Sequence, residues 1–362
     1  MDFRPGLEGI VAVQTNLSHV DGESGQLLFR GHPADKLAQQ HSFEEVIYLL
    51  WYGELPKQTE LTQIKKQLKE ARQLPEELIN LISELPEHMD MMAVLRTCIS
   101  SLGTNPGWPP TIEEAIQITA VIPTILAYRY RSLNKLECVT PNNYLDHAAN
   151  YLYMLRGEEP KDLHVKALNA YFVLTAEHGM NAAAFTSRVI ASTESDLFSA
   201  VTGAIGAMKG PLHGGAPSGV MAMLDDIGSI DNVEPWLRKT LNNKEKLMGF
   251  GHRVYKTNDP RSEALRDITS SMSGDDEWFA LANHVENTAI NLLKEYKPGR
   301  RLYSNVEFYA AAVFKAIDLP EPLYTSTFTA SRVAGWSAHV FEQAGNNRIY
   351  RPLSEYTGPV YV

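Results

Sequence analysis

The chain has 362 residues, 44% of them hydrophobic and 21% charged, and a formal net charge of −10. Its length is a soft prior for two domains, and its apolar content is enough for a sizeable core and excludes disorder. The acidity excludes a general nucleic-acid binder, because affinity for phosphate backbones comes from Lys and Arg. Any anionic ligand must be met by locally gathered basic residues.

Two cysteines, Cys98 and Cys138, form no CxxC and no Cys/His ladder. A structural metal site and a disulfide framework are therefore not expected. The opening residues, Met1 to Gly6, lack the basic-then-apolar pattern of a signal peptide. The longest apolar run, Ala115 to Tyr128, contains Pro123 and falls short of the roughly 20 residues that cross a membrane. A cytoplasmic protein without a membrane partner is expected.

Strand signals are confined to the start. Gly9–Val13 and Gln26–Arg30 flank an Asp21-Gly22 turn dipeptide, which predicts a short hairpin. Ser42-Phe43-Glu44-Glu45 is a capping box opening a helix over 43–52, closed by Gly53 and Pro56. Helical periodicity continues over 59–72, and Pro75-Glu76-Glu77 places Pro in a first turn with acids facing the positive end of the dipole. A helix over 91–102 follows, and Thr111-Ile112-Glu113-Glu114 is a second capping box before a long apolar helix. Further helices are expected near 142–155, 161–177, 196–209, 260–272, 276–295, 306–317 and 327–344. There is no βαβ alternation and no repeat, so the fold class is mainly α. Pro/Gly clusters at 210–217 and 298–299 are the best candidates for boundaries.

Three segments carry His or carboxylate in unusual settings. Lys209 to Pro217 surrounds His213 with glycine and proline, which puts the imidazole on a tight turn. In Gly249-Phe250-Gly251-His252-Arg253-Val254-Tyr255-Lys256-Thr257-Asn258-Asp259-Pro260-Arg261, a glycine again precedes a histidine, and Asp-Pro signals a helix start. Ser304-Asn305-Val306-Glu307-Phe308-Tyr309 places a carboxylate at the mouth of an apolar helix. Each segment also fits a plainer role, as a turn histidine, a solvated cationic face or a first-turn acid. The spacing alone names no reaction.

Together these segments resemble the citrate synthase family, over nearly the whole chain. The block at 249–261 is its most specific signature, Pro-Leu-His-Gly-Gly at 211–215 the second, and Asn-Val-Glu-Phe-Tyr at 305–309 the third. Glu177-His178-Gly179-Met180-Asn181 is similar to a substrate-binding element, and Ser331-Arg332 with Arg351-Pro352 is similar to a pair of carboxylate-binding arginines. His41 to Pro56 agrees with the family's first half.

The resemblance implies condensation of acetyl-CoA with oxaloacetate and hydrolysis of the thioester to citrate and CoA. It also implies no permanently bound cofactor. Glu307 would be the base, His213 a neutral donor to the thioester oxygen, and His252 the group that polarises the oxaloacetate carbonyl and protonates the alkoxide. His178, Arg261, Arg332 and Arg351 would hold carboxylates, where forked guanidinium groups suit the geometry. Arg351 would reach the neighbouring subunit's site in a homodimer. CoA would need a basic patch, for which Lys256, Lys297, Arg300 and Arg301 are the candidates. The same resemblance admits a 2-methylcitrate synthase using propionyl-CoA. It also admits a non-catalytic homologue that binds CoA or a dicarboxylate, since the family usually has Asp in place of Glu307. One methylene moves the carboxylate by about 1 Å, and misplacement on that scale can cost roughly 10²-fold in rate. The implied architecture is a large helical domain of residues 1–215 and 319–362 and a small one of 216–318, with a cleft that closes on oxaloacetate.

Overall fold

The structure is a computed structural model and describes residues 3–104, 107–214, 216–252, 254–270, 272 and 277–360. Gly215 and Arg253, which belong to two of the motifs, lie outside the described residues.

The chain begins with a three-stranded antiparallel sheet in the order β1 (Ser18–Asp21), β2 (Gln26–Phe29), β3 (His32–Pro33). The hairpin turn is where the Asp-Gly dipeptide predicts it, with Asp21 paired to Gln26. Its first strand is Ser18–Asp21, and residues 9–13 form no strand. Val11 is 85% exposed. A strand needs a partner for its backbone groups, and the Asp21 carboxylate, accepting from the Glu23 and Ser24 N–H groups, fixes the turn that gives Ser18–Asp21 one.

Helices follow. They are α1 (Ala34–Gln40), α2 (Phe43–Tyr52), α3 (Gln58–Glu70), α4 (Glu76–Glu84) and α5 (Met91–Leu102). Next come α6 (Ile112–Leu133), α7 (His147–Arg156), α8 (Asp162–Thr175), α9 (Ala182–Ala191) and α10 (Leu197–Met208). The chain continues through α11 (Ala216–Ile227), α12 (Val233–Asn242), α13 (Pro260–Ser270), α14 (Glu277–Tyr296), α15 (Val306–Ala316) and α16 (Tyr324–Gly345). The mainly α class is borne out. Both capping boxes form: Ser42 N donates to Glu45 at 2.7 Å and Thr111 N to Glu114 at 2.7 Å, and the cap hydroxyls accept in return. Pro75 is the residue before α4 and not part of its first turn.

Four helices, α1, α9, α11 and α12, were not predicted from periodicity. The one expected over 142–155 starts at His147, because Asn142 organises a turn ahead of it: Asn142 O accepts from Leu145 N and Asn142 Oδ1 from Tyr144 N. None of the described helices is long and apolar enough to cross a membrane.

The core is built on α16, which packs against α2, α6, α8, α9 and α10. Its buried Trp336, Val333 and Ala334 and the Trp51 indole donating to Ala334 O fix it in place. Helices α11, α13, α14 and α15 pack on one another, and α13 and α15 also meet α8. That contact positions the site.

Candidate active site

The segment carrying His252 and the start of α15 run side by side. Gly251 N donates to Tyr303 O at 2.8 Å, Asn305 N to Gly249 O at 2.9 Å, and Asn305 Nδ2 to Gly251 O at 2.9 Å. Gly249 has φ +80°, and a Cβ there would press on Phe308 and Val220, so only glycine serves. Asn305 also caps α15, accepting from Glu307 N. Two motifs separated by some fifty residues of chain thus share one hydrogen-bonded ladder.

His252 Nδ1 accepts from both Val254 N at 3.0 Å and Tyr255 N at 3.1 Å. With Nδ1 an acceptor, the ring proton sits on Nε2. Burial, followed by the charge of Arg261, pushes the His252 pKa down to about 4, so the ring is neutral at physiological pH. His178 lies edge-on to it, with ring centroids 5.4 Å apart, and its Nε2 is 3.2 Å from the Tyr255 hydroxyl. Burial holds His178 well below the usual histidine range.

His213 sits in the turn after α10, where His213 N and Gly214 N both donate to Gly210 O. A Cβ at Gly214 would run into Met208 O, which explains the glycine after the histidine. The His213 Nε2 is buried and has no hydrogen-bond partner among the described residues. Burial, then Arg332, lowers its pKa to about 4. Such a nitrogen is costly unless a ligand completes it.

Arg261 and Arg332 come from α13 and α16, and both are buried. Asp259 takes Arg261 in a two-pronged grip, Nε at 3.0 Å and Nη2 at 2.8 Å, and also accepts from Arg261 N and Val306 N. Arg332 donates Nε to Thr175 O at 2.5 Å and lies over the Phe328 ring at 4.6 Å. Burial lowers the Arg332 pKa to about 10, which leaves it charged at neutral pH.

Glu307 occupies the first turn of α15. Its pKa is raised from 4.5 to about 7. Burial is the dominant cause, and it outweighs Arg261 and Arg332, which pull the other way; Asp259 adds a smaller upward push. A carboxylate poised near neutrality that shares Arg261 with the neutral His252 and Arg332 with the neutral His213 has the electrostatic pattern of a general base.

The other predicted residues lie elsewhere. Arg351 is exposed in the extended segment after α16 and shares no hydrogen bond or ion pair with this cluster among the described residues. Lys297, Arg300 and Arg301 occupy the turn after α14, which leads directly into the 302–305 strand-like stretch. Glu295 there is taken up by Arg238 at 3.0 Å, which leaves the turn more cationic than its sequence suggests. Lys256 pairs with Glu23 of the hairpin turn at 2.5 Å. Sequence reasoning missed Asp259, Asn305 and Tyr255 as site residues. Asp259 was legible only as a helix-start signal.

The model of the family described as "Citrate synthase, C-terminal domain" matches residues 6–353. The chain belongs to the citrate synthase family. It is 40% identical to Citrate synthase 2 of Bacillus subtilis strain 168, over 98% of this chain and 95% of that protein. It is 38% identical to the Citrate/2-methylcitrate synthase of the same strain, over 99% and 97%. Among solved structures, the citrate synthase of Thermotoga maritima MSB8 matches with a TM-score of 0.89 at 38% identity, over 100% of this chain and 97% of that one. The Thermoplasma acidophilum citrate synthase, solved as a ternary complex with carboxymethyl coenzyme A and oxaloacetate, matches with a TM-score of 0.92 at 29% identity, over 100% of this chain and 97% of that one. The family assignment and the fold read from the motifs therefore agree.

Proposed function

We propose that this member of the citrate synthase family condenses acetyl-CoA with oxaloacetate and hydrolyses the product thioester, releasing citrate and CoA. The observation that carries this is Glu307, held near neutral pH in one cluster with two neutral histidines and two buried arginines. Glu307 removes a proton from the acyl methyl group, and His213 Nε2, otherwise unpartnered, donates to the developing enolate oxygen. The enolate carbon attacks the oxaloacetate carbonyl, which His252 polarises through Nε2–H; the same proton passes to the new alkoxide. Water then adds to the citryl thioester, CoA leaves as the thiol, and the proton taken up by Glu307 is returned to His252 through water, which resets both groups. Arg261, Arg332 and His178 bind the oxaloacetate carboxylates. Lys297, Arg300 and Arg301, with Lys256, meet the CoA phosphates. Residues 216–318 act as the smaller domain and 1–215 with 319–362 as the larger.

Thiol release from acetyl-CoA is expected only when oxaloacetate is present. No oxaloacetate-dependent release would leave a non-catalytic binding protein, and faster turnover with propionyl-CoA would make this a 2-methylcitrate synthase. One methylene separates the two substrates by only about 1–3 kcal/mol in an apolar pocket.

The active unit is a homodimer in which Arg351 completes the neighbouring site. Apolar side chains at both ends of the chain, Val11, Leu353, Tyr356 and Val360, are all at least 72% exposed, and Tyr350 OH donates to Ala12 O. Such surface is expected to be covered by a second copy. Mixed His213→Ala and Arg351→Ala chains should regain activity through hybrid dimers, since one site in each hybrid carries both intact residues. Hybrids that form and stay inactive would remove Arg351 from the neighbouring site.

A further inference from the structure

The N-terminal hairpin touches both histidine-bearing loops of the oxaloacetate pocket. On one side, Ser18 of β1 donates Oγ to Glu177 at 3.0 Å and accepts from Gly179 N at 3.2 Å, bracketing His178. Val20 Cγ2 lies 3.1 Å from where a Cβ on Gly179 would be. On the other side, Lys256 N donates to Gly22 O at 2.8 Å, and the Val254 carbonyl lies so close to Gly22 that a Cβ there would fall within 3.0 Å of it. Gly22 does not need glycine for its φ, so the requirement is the close approach alone. The gripped stretch, 254–256, is the one whose backbone N–H groups hold His252 Nδ1.

We propose that the hairpin is a strap across the oxaloacetate pocket, with Ser18 and Gly22 as positioning residues that set the His178 loop and the His252 tautomer. This rests on the proposed function for its chemistry but not for its geometry. The Glu23–Lys256 pair, exposed on both sides, adds little, because solvent screens such pairs. The grip is in the backbone hydrogen bond and the glycine contact. A residue larger than glycine at 22 pushes the 254–256 peptide away by roughly 1 Å, and displacement of that size at a reacting group costs on the order of 10²-fold in rate.

The test uses the full chain with Gly22→Ala, which inserts the clash, and Asp21→Ala, which loosens the same turn without one. Amide exchange over 252–258 should quicken in both variants, most at Lys256, while the helices keep their protection. With oxaloacetate bound, the carbonyl stretch of the ligand should move back towards its free value in Gly22→Ala, and kcat should fall while the unfolding temperature holds. Ser18→Ala should quicken exchange over 177–181 instead. Unchanged exchange over 252–258 in both turn variants would overturn the strap, as would a parental carbonyl stretch in a folded Gly22→Ala enzyme. If the parent itself shows no oxaloacetate-dependent thiol release, the proposed function fails and the exchange result alone decides the strap.

Discussion

Glu307→Gln is expected to lower kcat by about 10²–10⁴-fold, the range associated with removing a general base, with oxaloacetate binding retained. Steady-state kinetics and ligand protection against thermal unfolding check the two halves separately. In the parent, kcat/KM should fall about tenfold per pH unit below pH 7, because only ionised Glu307 takes a proton. His213 and His252, held near 4, stay neutral through that range and cannot produce this limb.

The same raised pKa carries a stability signature. Glu307 binds its proton more tightly folded than unfolded, so its contribution to stability is lost as pH rises from about 4.5 towards 7. The Gln variant should therefore gain thermal stability over the parent at pH 8 and not at pH 4. A variant that loses activity but shows no such gain would mean that burial does not raise Glu307. Glu307→Asp, the residue usual in the family, should not behave as a mild change here. The start of α15 is fixed by Asn305 to Gly249 and Gly251 and by Val306 to Asp259, so the backbone cannot advance to return the lost methylene. A loss of about 10²-fold is expected. Parental rates in Glu307→Asp would show that α15 can shift.

Asp259→Ala should destabilise the fold by about 3–5 kcal/mol, measured by urea unfolding, because it leaves a buried guanidinium without its partner. Asp259 is 1% exposed and Arg261 3%. In whatever fraction folds, KM for oxaloacetate should rise as Arg261 loses its orientation. The acid limb of the rate profile should also move below pH 7, since a negative charge that raises Glu307 has been removed. Asp259→Asn keeps an acceptor for Arg261 and Val306 and should show the smaller unfolding effect with the same direction of pH shift. A limb that stays in place would separate Asp259 from Glu307.

What the sequence determined by itself was local. The capping boxes at 42–45 and 111–114 were legible because their partners lie three residues apart, and the Asp21-Gly22 turn because its own side chain organises it. Helix α9 was not, since Asn181 caps it from within a segment whose pattern pointed to substrate binding, and α12 carries Pro235 in its first turn. The strand at Ser18–Asp21 was missed because a strand is defined by its partner. His213, His252 and Glu307 stood out through their motifs, but their spacing named no chemistry. Only the tertiary structure decided that Asp259 joins Arg261 to the start of α15, that His252 carries its proton on Nε2, and that Glu307 sits near pH 7. A tautomer and a pKa are set by burial, by backbone N–H groups and by the charges of Asp259, Arg261 and Arg332, and residues so far apart along the chain meet only once it has folded.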